Sequence, residues 1–296
     1  MSKKILIENK EAKIKILICC HKPWQLPKSD IFFPIQSGKA ISGINLEMQG
    51  DDTGDNISHK NVVFGEFTAW YWAWKNIKTI YPNIEYIGLA HYRRFFALNE
   101  PYTMYPTIGT PVPKLKNYDK LIIKKLDNSD IILLKPTSFV CNLKEHYIQS
   151  HHESDYFHMK NCIHELCPEY DESFLQVFEN NNTLSLFCMF ISRYDFFNKY
   201  FEWLFPLLLE VEKRINISDY NMYQSRVLAF LAERLLNVYV YHHKLKVVYE
   251  PVYLIKKEKN VLKRMIKLIL NGRHGIVRYG IKEIKKRING LEIVKK

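Results

Sequence analysis

Four short apolar runs, Lys15 to Cys20, Tyr86 to Ala90, Asp130 to Leu134 and Leu184 to Ser192, punctuate the chain. Two of them stop at His21-Lys22-Pro23 and Lys135-Pro136, and all four read as buried strands feeding loops. Between them the period changes. From Asn61 to Ile77, the residues Phe64, Phe67, Trp70, Tyr71, Trp74 and Ile77 recur every three or four positions, the pattern of an amphipathic helix. Asp195 to Arg214 repeats it with Phe197, Phe201, Leu204 and Leu208, and Pro206 is expected to kink or divide that helix. Another helix is expected from a cap at Ser218 or Asp219 through about Asn237, followed by a strand or hairpin arm over Val238 to Val248. Strands alternating with helices specify an α/β sheet with a helical second half.

A chain of 296 residues that is 47% apolar can bury a substantial core, which excludes global disorder. No period of 20 to 50 residues repeats, so solenoids and propellers are not expected. The net charge of +12 is unevenly placed. Residues 256–296 hold 14 basic and three acidic side chains, a charge of +11, which leaves +1 on residues 1–255. Neutralising many phosphates needs a basic face spread over the docking surface, so nucleic acid is not an expected partner.

Within 256–296, Leu262, Met265, Ile266, Ile269 and Leu270 recur at helical spacing among Lys263, Arg264 and Lys267. That pattern fits a basic amphipathic tail lying on an anionic membrane surface, with a solvated helix packed on the body as the alternative. No apolar run reaches about 18 residues and the first residues lack a signal-peptide core, so a cytoplasmic protein, peripheral on the inner face of the membrane, is expected. Six cysteines without CxxC spacing read as reduced and mostly buried.

In open α/β sheets ligands bind beyond the carboxyl ends of strands, and three such segments are polar. His21-Lys22-Pro23-Trp24 is either a turn fixed by Pro23 or a loop facing a nucleotide. Asp51, Asp52 and Asp55, set among Gly50 and Gly54, make either a solvated turn or a site for Mn²⁺ or Mg²⁺, which take hard oxygen ligands. His91-Tyr92-Arg93-Arg94 places adjacent guanidiniums at the end of a buried strand, where they need carboxylates or phosphates. Opposite-facing neighbours suggest that one of the two arginines reaches a ligand while the other meets a structural acid. His151 and His152 lack a third convergent ligand for zinc, and Glu233-Arg234 reads as an ion pair within one helix. No P-loop, GxSxG or GxGxxG motif occurs.

Several of these segments together resemble a known group. They include Ile18 to Pro23, Pro34 to Ala40, Gly50 to Ser58, Glu66 through Asn76, Tyr86 to Phe95, Met189 to Ile191, Glu202 to Phe205, Ser218 to Tyr220, Gln224 to Val227 and Glu233 to Asn237. Across about residues 14 to 254 the chain resembles a bacterial family named only as a domain of unknown function, found in capsular, exopolysaccharide and lipopolysaccharide synthesis. Some of its members are assigned as glycosyltransferases, including galactofuranosyltransferases.

The resemblance implies a GT-A-like nucleotide-sugar-binding fold over residues 1–255. It also implies sugar transfer from a nucleotide diphosphate donor, UDP-linked and UDP-galactofuranose among the candidates, to a lipid-linked or growing glycan. The usual GT-A Asp-x-Asp is replaced by His91-Tyr92-Arg93-Arg94, so either arginine charge stands in for a cation or Asp51, Asp52 or Asp55 holds one. On this reading His91, Arg93 and Arg94 meet the diphosphate and His21, Lys22 and Gln36 the nucleoside, while Asp52 and Asp55 meet the donor sugar or a cation. Asp219 is the expected base, with Asp52 and Glu66 as rivals. The alternative is a non-catalytic nucleotide- or glycan-binding subunit of a polysaccharide assembly complex.

Overall fold

The computed structural model describes residues 11–24, 26–27, 29–98 and 117–254. The basic segment 256–296 lies outside the described residues. Strands β1 (Ile14–Cys20), β2 (Phe32–Gln36) and β3 (Gln49–Gly50) precede helices α1 (Asn61–Phe64) and α2 (Phe67–Ile80). Then come β4 (Tyr86–His91), β5 (Arg94–Phe96), α3 (Tyr118–Leu126), β6 (Ile131–Leu134), β7 (Thr137–Ser138), α4 (Leu143–Ile148) and α5 (Glu153–Leu166). The described chain closes with α6 (Asp171–Phe178), β8 (Thr183–Leu184), β9 (Phe190–Arg193), α7 (Tyr194–Arg214), α8 (Val227–His242), β10 (Val247–Glu250) and β11 (Val252–Leu254).

The central sheet runs in the order β10, β6, β9, β4, β1, β2, β3, and β5 joins β4 to β11. Along this path only β9 is antiparallel to its neighbours. This is the mixed α/β sheet that alternating strands and helices require. All seven residues of β1 are buried, which suits a parallel strand covered on both faces. Leu17 and Cys19 pack with Phe67, Trp70, Phe201 and Leu231 of the helical half. Ile16, Ile18 and Cys20 face the other way, against Phe95, Tyr118 and Ile122 near α3.

Five sequence expectations change. The helix expected from Asn61 to Ile77 is divided at Gly65, whose φ of +54° an L side chain rarely adopts. A Cβ there would also press on the Arg226 guanidinium and Ala229, so only glycine lets α8 approach. The run Leu184 to Ser192 is two strands separated by a turn at Phe187 (φ +71°) and Cys188 (φ +50°). The helix expected from Asp219 begins instead at Val227 and continues to His242, so neither Ser218 nor Asp219 is its cap, and the strand expected from Val238 starts at Val247. Finally, α7 passes through Pro206 without dividing. Pro206 and Glu202, whose carbonyl loses its partner, are both exposed, so water replaces the missing N–H.

β2, not anticipated as a strand, carries Pro34 between β1 and β3. Only Ile35 and Gln36 of β2 pair with β3, so the proline lies outside that ladder.

Candidate functional site

Parallel β1, β2, β3 and β4 deliver His21, Ser37, Asp51 and Tyr92 to one edge of the sheet, the edge at which such folds bind ligands. Because β9 runs the opposite way, the Phe187–Cys188 turn that precedes it reaches the same edge. Two helix starts complete the ring: Glu66 precedes α2 and Arg226 precedes α8.

The β4–β5 hairpin turns at Tyr92-Arg93, pairing His91 with Arg94. Tyr92 is buried and acts as a hub. His21 and Trp24 meet its ring edge-on at 5.0 and 5.1 Å, while the Lys22 ammonium and Arg93 guanidinium lie 5.5 and 5.6 Å from its centroid. Arg94 lies over the Phe187 ring at 4.1 Å. Among the described residues neither arginine forms an ion pair, and each has a buried Nε without a hydrogen-bond partner. The expectation that one of them meets a structural acid therefore has no counterpart there.

Charge in this ring is predominantly positive. Arg226 donates to Glu66 Oε2 at 2.8 Å. Burial pushes the Glu66 carboxyl up, but His91 and Arg226 outweigh it, so its pKa lies below the usual value. At the histidines burial prevails. Burial lowers His91 despite Glu66, with Arg94 and Arg226 acting in the same direction, and burial plus Lys22, Arg226 and Arg93 lowers His21. Four permanent cations, Lys22, Arg93, Arg94 and Arg226, thus gather beside neutral imidazoles, an arrangement complementary to a compact polyanion. Burial raises the Cys19 and Cys188 thiols well above their usual value, so neither supplies a thiolate at neutral pH. All six cysteines are free and five are buried.

The other anticipated residues are committed elsewhere. Gln36 donates to Ile44 O at 2.8 Å and accepts from Leu46 N at 3.0 Å, fastening a neighbouring loop. Asp51 is fully buried, and its carboxylate accepts from Gly38 N (2.8 Å), Lys39 N (2.9 Å), Thr68 Oγ1 (2.6 Å) and Ser58 Oγ. Asp52 is exposed. Asp55 accepts from Tyr71 Oη at 3.1 Å, and its backbone carbonyl accepts from Asn76 Nδ2 at 2.8 Å. Asn76 is ten residues past Glu66, about 15 Å along α2 at 1.5 Å per residue. Asp219 sits on an exposed turn with no hydrogen bond or ion pair among the described residues.

This donor set does not fit Mn²⁺ or Mg²⁺: the one buried carboxylate is saturated by four donors, and the other two are exposed, Asp55 already accepting from Tyr71 Oη. Among the described residues no three His, Cys, Asp or Glu side chains converge as a metal site requires. His151 is held by Gln224 and stacked on Phe230, while His152 stacks on Tyr220.

Arg226, Phe187, Glu233 and Tyr92 complete the ring without having been singled out from sequence as ligand-facing. Glu233 Oε1 accepts from Phe187 N at 2.6 Å, and Phe187 O bonds His91 Nε2 at 2.8 Å. The pointers in the sequence were that Tyr92 lies in the recognised segment Tyr86 to Phe95, and Arg226 and Glu233 in Gln224 to Val227 and Glu233 to Asn237; Phe187 had none.

Known proteins agree with this architecture. A solved structure, the WbbM bifunctional glycosyltransferase in its apo form, matches 83% of this chain with a TM-score of 0.74 and 30% sequence identity. The match covers 46% of that protein, so the chain spans less than half its length. The sheet and helical half are GT-A-like. No curated protein sequence matches the chain. The family described as a domain of unknown function, DUF4422, matches residues 15–244, and the chain belongs to it.

Proposed function

We propose that the chain is a glycosyltransferase that moves a sugar from a nucleotide diphosphate donor, UDP-linked, to a hydroxyl of a lipid-linked or growing glycan. The convergence of Arg93, Arg94 and Arg226 at the carboxyl edge, with two guanidinium nitrogens buried and unpaired, carries this reading. The structural likeness to a bifunctional glycosyltransferase and the resemblance to galactofuranosyl-transferring members support it, the latter making UDP-galactofuranose the first donor to try.

In the reaction the acceptor hydroxyl oxygen bonds to the anomeric carbon, the bond from that carbon to phosphate oxygen breaks, and its electron pair leaves on the diphosphate. Guanidiniums fixed where that charge develops stabilise the departing group. The hydroxyl proton needs a base. Of the three candidate bases, Glu66 touches the ring, whereas Asp52 and Asp219 stand on exposed turns. Arg226 keeps Glu66 weakly basic in the free protein. A bound diphosphate shares that guanidinium and returns basicity to Glu66. His21 and Lys22, gathered on Tyr92, flank the nucleoside end of the donor.

Arginine charge takes the place of a metal ion in this scheme. The basic pattern of 256–296 supports contact with anionic lipid, where such acceptors reside. Among the described residues no helix is long and apolar enough to cross a membrane.

A thermal-shift panel of nucleotide sugars, with and without Mn²⁺, tests the donor class, since a ligand that binds the native state raises its melting temperature. UDP-sugars are expected to stabilise the protein without Mn²⁺ and to be slowly hydrolysed when acceptor is absent. Stabilisation without hydrolysis or transfer would favour a binding subunit. No shift with any nucleotide sugar would remove the reading.

A further inference from the structure

Phe187 and Cys188 form a turn in which two successive non-glycine residues hold positive φ. Such backbone is strained for an L side chain and persists only where its surroundings hold it. Here the holding groups come from one face of α8. Glu233 accepts the Phe187 N–H at 2.6 Å, and one helical turn later Asn237 Oδ1 accepts the Ser185 N–H at 3.1 Å. Ser185 Oγ in turn donates to Leu134 O at 2.8 Å. The turn is therefore tied to α8 and to β6 at once.

Phe187 then touches two cationic or proton-bearing groups of the ring. A carbonyl oxygen can only accept, so the 2.8 Å bond between Phe187 O and His91 Nε2 places the imidazole proton on Nε2. Nδ1 of neutral His91 is left with its lone pair. The Phe187 side chain, half-buried, lies beneath the Arg94 guanidinium at 4.1 Å. The Arg94 Nε, buried and without a partner, has no other group among the described residues to aim it.

We propose that the Phe187–Cys188 turn, clamped by Glu233, is the positioning element of the anion site: it fixes His91 in the Nε2–H tautomer and holds Arg94 over the Phe187 ring. This rests on the donor reading above only for what the site binds. Phe187 and Glu233 touch no substrate in this scheme; they act through His91 and Arg94. The need for a ring under the guanidinium also accounts for a bulky residue standing where glycine would relax the backbone.

Two measurements test this, one independent of any ligand. Nitrogen-15 NMR of the imidazoles, with His91 assigned by His91→Gln, should show His91 as a single Nε2–H tautomer. Glu233→Ala should mix the two tautomers, while Glu233→Gln, which keeps an acceptor for the Phe187 N–H, should restore the single form. The second measurement is titration with UDP and, separately, inorganic pyrophosphate. Phe187→Gly keeps the turn but loses the ring, and should weaken binding of both probes by about tenfold. Phe187→Tyr, which keeps the ring, should stay within about twofold of the wild type.

The clamp is overturned if folded Glu233→Ala keeps the single tautomer, or if folded Phe187→Gly binds the probes as wild type does while Arg94→Ala does not. Should wild-type protein bind neither probe, the donor reading falls, and the tautomer result still decides the clamp.

Discussion

Two polar loops leave the same edge of the sheet, and their fates differ. The 51–56 turn holds three carboxylates and the 91–94 hairpin three basic side chains, so by composition alone either is a candidate ligand site. In the fold, Asp51 is spent on two backbone amides and two hydroxyls, and Asp55 is tied to α2. Arg93 and Arg94 each keep a buried nitrogen without a partner. Density of charge is a poor guide to a site; unmet hydrogen-bonding capacity is a better one, because a buried polar group left unpaired is costly unless something else meets it.

The largest expected effect lies in the loop whose bonds are complete. Asp51→Ala orphans four donors, two from the turn after β2, one from Ser58 ahead of α1 and one from Thr68 in α2, and should cost about 3–4 kcal/mol of stability, read as the denaturation midpoint at unchanged m-value. A loss below about 1 kcal/mol would mean the turn is not the latch described, and its carboxylates would return as candidate cation ligands.

Next in size, Arg226→Ala and Arg94→Ala invert that pattern. Arg94→Ala removes a cation from a crowded positive ring, so stability should hold within about 1 kcal/mol, whereas Arg226→Ala also leaves Glu66 without its partner and should cost about 1–3 kcal/mol; in both, UDP affinity should fall roughly 10- to 100-fold. If either variant instead unfolded at wild-type affinity for UDP, the arginines would be structural and the contrast between the loops would vanish. Asp52→Asn, on the exposed side of the acidic turn, should change stability by no more than about 0.5 kcal/mol. It should also leave any activity indifferent to added Mn²⁺; a Mn²⁺ requirement lost with Asp52 would restore the metal reading.

Much of the sheet could be read from sequence because β1, β4 and β6 are continuous apolar runs whose ends the neighbouring polar residues mark. β2 could not, since Pro34 argues against a strand until a two-residue β3 partner is known. The turn within Leu184 to Ser192 was equally hidden, because Phe187 and Cys188 are apolar and hydropathy carries no record of φ. At the site, His91 to Arg94 was legible as a cationic stop to a buried strand. Arg226 and Glu233 were not: one just before α8 and one within it, they mean nothing until the tertiary fold sets that helix across the sheet edge. Asp51 misled for the same reason, as its partners Thr68 and Ser58 come from beyond the loop.

The smallest effect is in the proton balance of the ring. Burial lowers His91 and His21 below the ordinary histidine value, so between that value and the folded pKa the unfolded chain binds more protons. Stability should therefore fall as pH drops below about 6.5. His151, lowered to about 4 by burial, adds to the same slope over the window from 6.5 to 4. It is partly exposed, which limits its share at pH 5 to about 1 kcal/mol. A bound diphosphate reverses the preference at His91, because negative charge beside Nδ1 favours the imidazolium. UDP affinity should then rise severalfold from pH 8 to pH 6, and His91→Gln should flatten that rise while leaving the His151 slope in stability intact. The acidic turn has no part in this linkage, so Asp52→Asn and Asp55→Asn should leave the pH profile of UDP binding where it was. A profile that moves with the aspartates and not with His91 would put the anion at the other loop.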